Sequence, residues 1–109
     1  MANIYKNTKT DLTAASATTV YTVPSDSRSI VKSILVNDDS GSGDTITLTL
    51  TNAAGTVFSL FKVKAVASNA TVELLTNPLI MMESEILKAT PATGNRLHIV
   101  ISMLEMNRS

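Results

Sequence analysis

The residues with the clearest potential for chemistry lie at 38–44, where the sequence reads Asp-Asp-Ser-Gly-Ser-Gly-Asp. Oxygen-bearing side chains at this spacing are typical of calcium-binding loops. The bidentate Glu that closes an EF-hand loop at its twelfth position is missing, because Thr49 stands there. We therefore interpret the segment as a solvated hairpin loop in which Asp and Gly accept unusual backbone angles, and we expect no bound metal.

A second candidate is His98, the only histidine of the chain. One histidine cannot build a His-rich metal site, and any catalytic triad would have to use it. Its expected place is the middle of a strand among apolar neighbours, where no carboxylate or nucleophile can be assigned as its partner. We interpret His98 as a structural or interface residue.

Glu83 and Glu85 flank Ser84 in a predicted turn. Paired carboxylates act as acid and base in clefts that separate their pKa values, and a turn supplies no such cleft. The four glycines form no phosphate-binding pattern, and the chain contains no cysteine. The sequence thus predicts no catalytic residue, no cofactor and no enzyme activity.

The elements that would position these residues are short strands. Apolar and threonine side chains alternate most clearly at 44–51, which is the pattern of a half-buried strand. Similar runs, separated by Gly, Pro, Asn and Asp clusters, are found at 18–23, 28–37, 56–63, 70–75, 85–90 and 96–106. We predict an all-β, two-sheet antiparallel β-sandwich of seven to eight strands, with jelly-roll and Greek-key connections both open. Residues 1–10 are expected to form a polar N-terminal arm, and residues 11–109 the single sandwich domain.

Two of the predicted strands are apolar on both faces. At 96–106, Leu97, Ile99, Ile101 and Met103 alternate with His98, Val100, Leu104 and Met106. At 29–37, the same period places Ile30, Ile34 and Val36 on one face, with Val31 and Leu35 on the other. A two-layer domain covers one face of each strand. The cover for the other face is a loop, the N-terminal segment or a neighbouring subunit, and we favour the subunit. The predicted interface residues are Ile4, Tyr5, Ile34, Val36, Met81, Met82, His98, Val100, Leu104 and Met106.

Charge and composition narrow the class of partner. Nine basic and nine acidic residues cancel, which argues against nucleic acid and favours self-association. No apolar run reaches the length of a membrane helix, and we expect no membrane contact. Two Tyr, two Phe and no Trp offer few platforms for sugars, so a carbohydrate-binding module is a weaker alternative.

The strand segments as a whole resemble small virion proteins of tailed bacteriophages, particularly those that infect marine bacteria and cyanobacteria. The resemblance is carried by YTVP at 21–24, SILV at 33–36, DTITLTL at 44–50, VFSLF at 57–61, TVELL at 71–75, EILK at 85–88 and NRLH at 95–98. It implies a capsid decoration or cement protein, often trimeric, that binds the major capsid protein or another virion protein. Such a protein is made in the host cytoplasm and lies on the capsid surface, with its arm ordered on a neighbour. A tail, neck or fibre-base component is the alternative within the same class.

Overall fold

The computed structural model describes residues 2–107, which form strands joined by turns and bends, without a helix. The described chain accordingly offers no helix with the length and apolar character needed to cross a membrane. Within this range the strands are β1 (Ala2–Leu12), β2 (Thr18–Thr22), β3 (Ser27–Asp38), β4 (Asp44–Thr51), β5 (Val57–Val66), β6 (Thr71–Glu73), β7 (Leu79–Met81), β8 (Ile86–Pro91) and β9 (Leu97–Asn107). Every segment predicted as a strand overlaps one of them.

The strands form two antiparallel sheets. Sheet A has the order β1, β9, β3, and both β6 and β7 pair with the far edge of β3. Sheet B has the order β2, β8, β4, β5. The predicted all-β, two-sheet antiparallel sandwich is therefore confirmed.

The order of pairing selects between the two topologies that the sequence left open. β4 pairs with β5 across a tight connection, and outside this pair β3 pairs with β6 and β7, β2 with β8, and β1 with β9. The chain is thus one long antiparallel hairpin, folded at the β4–β5 connection, whose two halves wrap into two sheets. This nesting is the jelly-roll arrangement.

The β4–β5 connection spans residues 52–56, between two segments that the sequence predicted as strands. The side-chain oxygen of Asn52 accepts hydrogen bonds from the N–H groups of Ala54 and Thr56, each at 3.0 Å. Gly55 has a φ of 90°, a conformation that costs glycine little because it has no Cβ. Asn and Gly therefore form this turn for the reasons that favour them in turns generally.

The core lies between the sheets and is mainly aliphatic. On β9 the inward side chains are fully buried, as the alternation predicted: Leu97, Ile99, Ile101 and Met103. On β4 the inward side chains of Ile46 and Leu48 are also fully buried. The opposite side of β9 faces away from sheet B, and we call this side of sheet A its outer face.

A β-bulge interrupts the alternation halfway along β3. Val31 pairs with Met103 and Ser33 pairs with Ser102, so Lys32 is an extra residue with no partner on β9. A bulge of this kind shifts by one residue which side chains face inward beyond it.

The bulge corrects the predicted faces of β3. Val31, Ile34 and Val36 all point into the core, whereas Ile30 and Leu35 lie on the outer face. The prediction that Ile30 shares a face with Ile34 is wrong, because uninterrupted alternation does not hold across the inserted Lys32. The prediction that the outer face of β3 carries apolar side chains remains correct, with different residues.

Residues 2–10, predicted as a polar arm, are a strand of the sandwich instead. They form most of β1, which pairs with β9 without a register shift from Ala2–Asn107 to Leu12–Leu97. The predicted boundary after residue 10 is therefore corrected. The polar side chains concealed this strand, because among residues 3–12 only Leu12 is buried in the core.

Candidate interaction surface

Three of the predicted interface residues lie in the core and not on the surface. Ile34, Val36 and Met81 are all 0% exposed. The bulge in β3 turns Ile34 and Val36 inward, and Met81 pairs with the inward-facing Ser29. The interface prediction is wrong for these three residues.

The remaining predicted interface residues are exposed or half buried. Along β9, His98, Val100, Leu104 and Met106 all lie on the outer face. On β1, Tyr5 pairs with Leu104 and is 74% exposed. Ile4 and Met82 are also exposed. That these residues contact another polypeptide stays a prediction.

Strand register arranges the outer face of sheet A in rows across the strands. We call Tyr5, Leu104, Ile30 and Ile80 the apolar row, because they are in direct register across β1, β9, β3 and β7. Beside it is the small row, formed by Asn7, Ser102 and Ser33. Beyond that is the mixed row, formed by Lys9, Val100, Leu35 and Glu73. The Lys32 ammonium lies 5.6 Å from the centroid of the Tyr5 ring, within reach of a cation–π contact.

Exposed apolar side chains collect at one end of the sandwich. Six of the eight large hydrophobic residues that are exposed among residues 3–107 are found there, and we call this group the apolar end: Ile4, Tyr5, Val57, Phe58, Ile80 and Met82. Sequence reasoning missed Val57, Phe58 and Ile80. Its available signal was the adjacent apolar pair Val57-Phe58 directly after a turn, since a half-buried strand would expose one of the two.

Strand register within each sheet and one hydrogen bond between the sheets place the residues of the apolar end at the same end of the sandwich. In sheet A, Tyr5 and Ile80 belong to one row. In sheet B, Val57 begins β5 opposite the end of β4. The hydroxyl of Tyr21, near the end of β2, donates to Glu105 Oε2 on β9 at 2.7 Å and so joins the same ends of the two sheets.

A buried polar cluster lies beneath the apolar end, and sequence reasoning did not find it. Tyr21 hydrogen-bonds to the Ser29 hydroxyl as well as to Glu105. The Lys6 ammonium lies 3.4 Å from the same Glu105 oxygen. Burial raises the pKa of the Tyr21 phenol far above its ordinary value; the Ser29 hydrogen bond lowers it and the Glu105 contact raises it again. Tyr21 therefore stays protonated and acts as a donor to the carboxylate.

His98 has a carboxylate partner that the sequence did not reveal. Its Nε2 lies 3.3 Å from Asp11 Oδ1, its register partner on β1. Both side chains are exposed, and they border a shallow groove of about 430 Å³ with Lys9 and Thr10. An exposed pair of this kind adds roughly 0–1 kcal/mol to the free energy of unfolding by linking β1 to β9. It defines no reaction by itself.

The 38–44 segment is organised by the Asp38 carboxylate. It accepts hydrogen bonds from the Ser40 hydroxyl at 2.6 Å and from the N–H groups of Ser40, Gly43 and Asn69 at 3.1, 2.8 and 3.2 Å. The Ser40 hydroxyl, followed by these N–H groups, lowers the pKa of Asp38 to about 2. The segment connects β3 in sheet A to β4 in sheet B, so the expectation of a hairpin is wrong. Among residues 2–107, no three His, Cys, Asp or Glu side chains are grouped so as to hold a metal ion.

We expect Asp38→Asn to lower the melting temperature at pH 7, because an amide places N–H donors against N–H donors. The folded-state pKa of about 2 lies below the ordinary 3.8, so the carboxylate stabilises the fold above pH 3.8 and loses this effect as pH falls through 2. The difference between wild type and variant should therefore shrink across that window. Thermal melts at several pH values check this, with the exposed neighbour Asp39→Asn as control. A difference that is constant with pH would contradict the role of Asp38.

Two further carboxylates bind backbone groups of their own chain. Glu73 accepts the N–H groups of Ile34 at 2.8 Å and Leu75 at 3.2 Å, where the edge of β3 lies between β6 and β7. Glu85 accepts the N–H of Met82 at 2.7 Å within the predicted turn before β8. These carboxylates complete the backbone hydrogen bonding of the sandwich.

Comparison with known proteins identifies a shared fold and no family. No family model matches the chain, and no curated protein matches its sequence significantly. A chain of the disulfide-linked pili that form Bacillus endospore appendages matches with a TM-score of 0.59 at 14% identity, over 98% of this chain and 89% of that one. A chain of the cyanophage Pam1 capsid asymmetric unit matches with a TM-score of 0.47 at 17% identity, over 94% and 84%. The first likeness shows the fold, and the second is too distant to support an argument.

Proposed function

We propose that this chain is a non-catalytic structural protein of a tailed-phage particle, and that it binds the assembled capsid shell as a decoration protein. The observation that carries the proposal is the apolar end. Three strands expose large hydrophobic side chains together at this one place. Large hydrophobic side chains exposed at one end of a domain are typical of an interaction site.

The carboxylates of the chain support a structural role. Asp38, Glu73 and Glu85 accept backbone N–H groups, and Glu105 accepts the phenol of Tyr21. A general acid or base needs a reactive position in a cleft, whereas these groups are committed to hydrogen bonds that hold the fold. These four carboxylates therefore stabilise the folded chain.

The two ends of the sandwich differ in the way a decoration protein requires. Opposite the apolar end lie the loops 13–17, 39–43, 67–70 and 92–96, which consist largely of Ser, Thr, Ala, Asn, Asp and Gly. An elongated body of 45 × 26 × 22 Å can bind a shell by its apolar end and present the polar end to solvent. A protein that binds only the assembled shell stabilises it by mass action, without a chemical step.

Disulfide bonds cannot link this chain to its neighbours. The endospore pili that share this fold are disulfide-linked, whereas this chain contains no cysteine. Shape and apolar burial then have to supply the binding energy, which fits a surface where large hydrophobic side chains are already exposed.

We expect Phe58→Ser to weaken binding to undecorated capsid shells by about tenfold or more, because large buried side chains dominate interface energetics. Co-sedimentation of the purified chain with shells stripped of it measures this affinity. Val63→Ser is the matched control, since Val63 lies on the same strand with 61% exposure but outside the apolar end. Equal weakening by both variants, or none by Phe58→Ser, would contradict docking through the apolar end.

The location itself is tested on purified particles. Gold-labelled antibodies against the chain should bind across the shell, and mass spectrometry should find the chain in every preparation. Labelling confined to the tail or neck would replace the decoration role with the alternative structural role. Absence of the chain from purified particles would refute a virion function altogether.

A further inference from the structure

We propose that a second copy of the chain packs face to face on the outer face of sheet A. The two copies are related by a two-fold axis that lies between the two sheets and runs along the small row, perpendicular to the strands. The contact shares Tyr5 and Ile80 with the apolar end, but it is centred on the small row and leaves Phe58 outside. It follows from the arrangement of side chains on sheet A and does not depend on where in a particle the chain resides.

The outer face of sheet A lacks a covering layer among residues 2–107. Sheet B packs on the inward face alone, because the two sheets form a single sandwich. Yet Ile30, Val100 and Leu104, in the central strands β3 and β9, are apolar and half buried by their neighbours within the sheet. Strands that are apolar on both faces belong in structures with a cover on each side.

The size of this face suits a stable contact between two proteins. The strands β1, β9 and β3 have 11, 11 and 12 residues, and β6 and β7 add three residues each along the far edge of β3. At about 4.8 Å between strands and about 3.3 Å per residue, they give a flat footprint of about 600 Å². Standard protein interfaces bury about 800 Å² of accessible surface on each partner, and a side-chain surface is larger than its flat projection. The outer face is therefore large enough to hold a second copy without help from another surface.

A second copy fits because the face is complementary to itself about the small row. Rotation about this axis places the apolar row of one copy on the mixed row of the other. In the central strands Leu104 lies on Val100 and Ile30 on Leu35. At the two edges Tyr5 lies on Lys9 and Ile80 on Glu73. The small side chains of Ser102 and Ser33 at the axis allow the two sheets to approach closely. Sheets packed in this way bury interdigitated side chains in a layer about 10 Å thick.

The charges on the face follow the same symmetry. Arg28 and Lys32 lie on the side of the apolar row, where Arg28 pairs with Met106 and Lys32 forms the bulge. Asp11 and Glu73 lie on the other side of the small row, although Lys9 is also there. The rotation brings the basic side of each copy onto the acidic side of the other. An arrangement in which each row faced the same row of the second copy would bring like charges together.

Crosslinking tests this geometry, because the chain has no cysteine of its own. A short bismaleimide crosslinker should join Ser102→Cys chains into covalent dimers, since two-fold symmetry brings Ser102 close to its own copy. Thr49→Cys, on the opposite outer surface in sheet B, should give no covalent dimer under the same treatment. Crosslinking of both variants alike, or of Thr49→Cys alone, would overturn the proposal.

Light scattering supplies the second measurement. The wild-type chain at micromolar concentration should have twice the mass of one chain, and Leu104→Glu should weaken self-association by at least about tenfold. Thr49→Glu is the control, and thermal melts verify that both variants fold. A wild-type monomer, or the trimer implied by the resemblance to decoration proteins, would contradict the two-fold contact. Phe58→Ser should remain dimeric, so failure of shell docking and failure of self-association can be distinguished.

Discussion

Replacing Ile101 with alanine should lower the free energy of unfolding by about 2–5 kcal/mol, the largest effect we expect from a single substitution. Ile101 is 0% exposed and lies in the middle of β9, where it pairs with Thr8 on β1 and Ile34 on β3. The surrounding strands are held by hydrogen bonds on both sides, so they cannot close fully on the space left behind. Urea denaturation at a fixed, low chain concentration measures the loss.

The neighbouring residue is the matched control for this prediction. Val100 is the next residue of β9, but it lies on the outer face and is half buried. Val100→Ala in the dilute, unassociated chain should therefore cost much less than Ile101→Ala. If the two substitutions cost the same, the assignment of inward and outer faces on β9 is wrong.

Tyr21→Phe should be the second most damaging change, with a loss of about 1–3 kcal/mol, because it leaves buried polar groups with fewer hydrogen bonds. The variant keeps the aromatic ring and removes the hydroxyl that bonds to Ser29 and Glu105. Glu105 would retain Lys6 at 3.4 Å, whose side chain is 41% exposed and therefore compensates weakly. Urea denaturation again gives the loss in stability.

The chain contains one other tyrosine, which serves as the control. Tyr5 is 74% exposed on the outer face, so Tyr5→Phe should leave the stability of the dilute chain unchanged. A double-mutant cycle that combines Tyr21→Phe with Ser29→Ala should show coupling, since the two hydroxyls share a hydrogen bond. Additive effects in that cycle would show that the cluster does not act as a unit.

The fold was predictable wherever one strand face is apolar and the other is polar. Alternation at 44–51 matches β4 to the residue, and the inward set on β9 was assigned correctly. Sheet A covers one side of β4 and sheet B covers one side of β9. The buried side chains of each strand therefore recur at every second residue, and the sequence shows this period. Turn residues such as Asn52 and Gly55 marked the connection for local reasons.

Other elements depend on partners that are distant in sequence, and local patterns do not show them. β1 is a polar edge strand that is fixed by pairing with β9 at the other end of the chain. β7 is three residues long and is defined by its antiparallel pairing with the edge of β3. The bulge at Lys32 inserts one residue without any Gly or Pro to mark it, and this reversed the predicted faces at Ile34 and Val36.

The candidate surface was predictable in part for the same reason. The outer residues of β9, including Val100 and Leu104, follow from alternation alone. Leu35 was missed as an outer residue because the bulge intervenes. The bond between Tyr21 and Glu105 spans 84 residues and has no local signature.

Hydroxyl-radical footprinting of the chain in intact particles and as a dilute isolated protein tests most directly whether another polypeptide covers its exposed apolar surface. We expect strong protection of Tyr5, Phe58 and Met82 in the particle, with the peptide that carries Val63 modified equally in both states. Equal modification of Tyr5, Phe58 and Met82 in the two states would show that the apolar side chains remain exposed in the particle, and the proposed role as a contact surface would then be wrong.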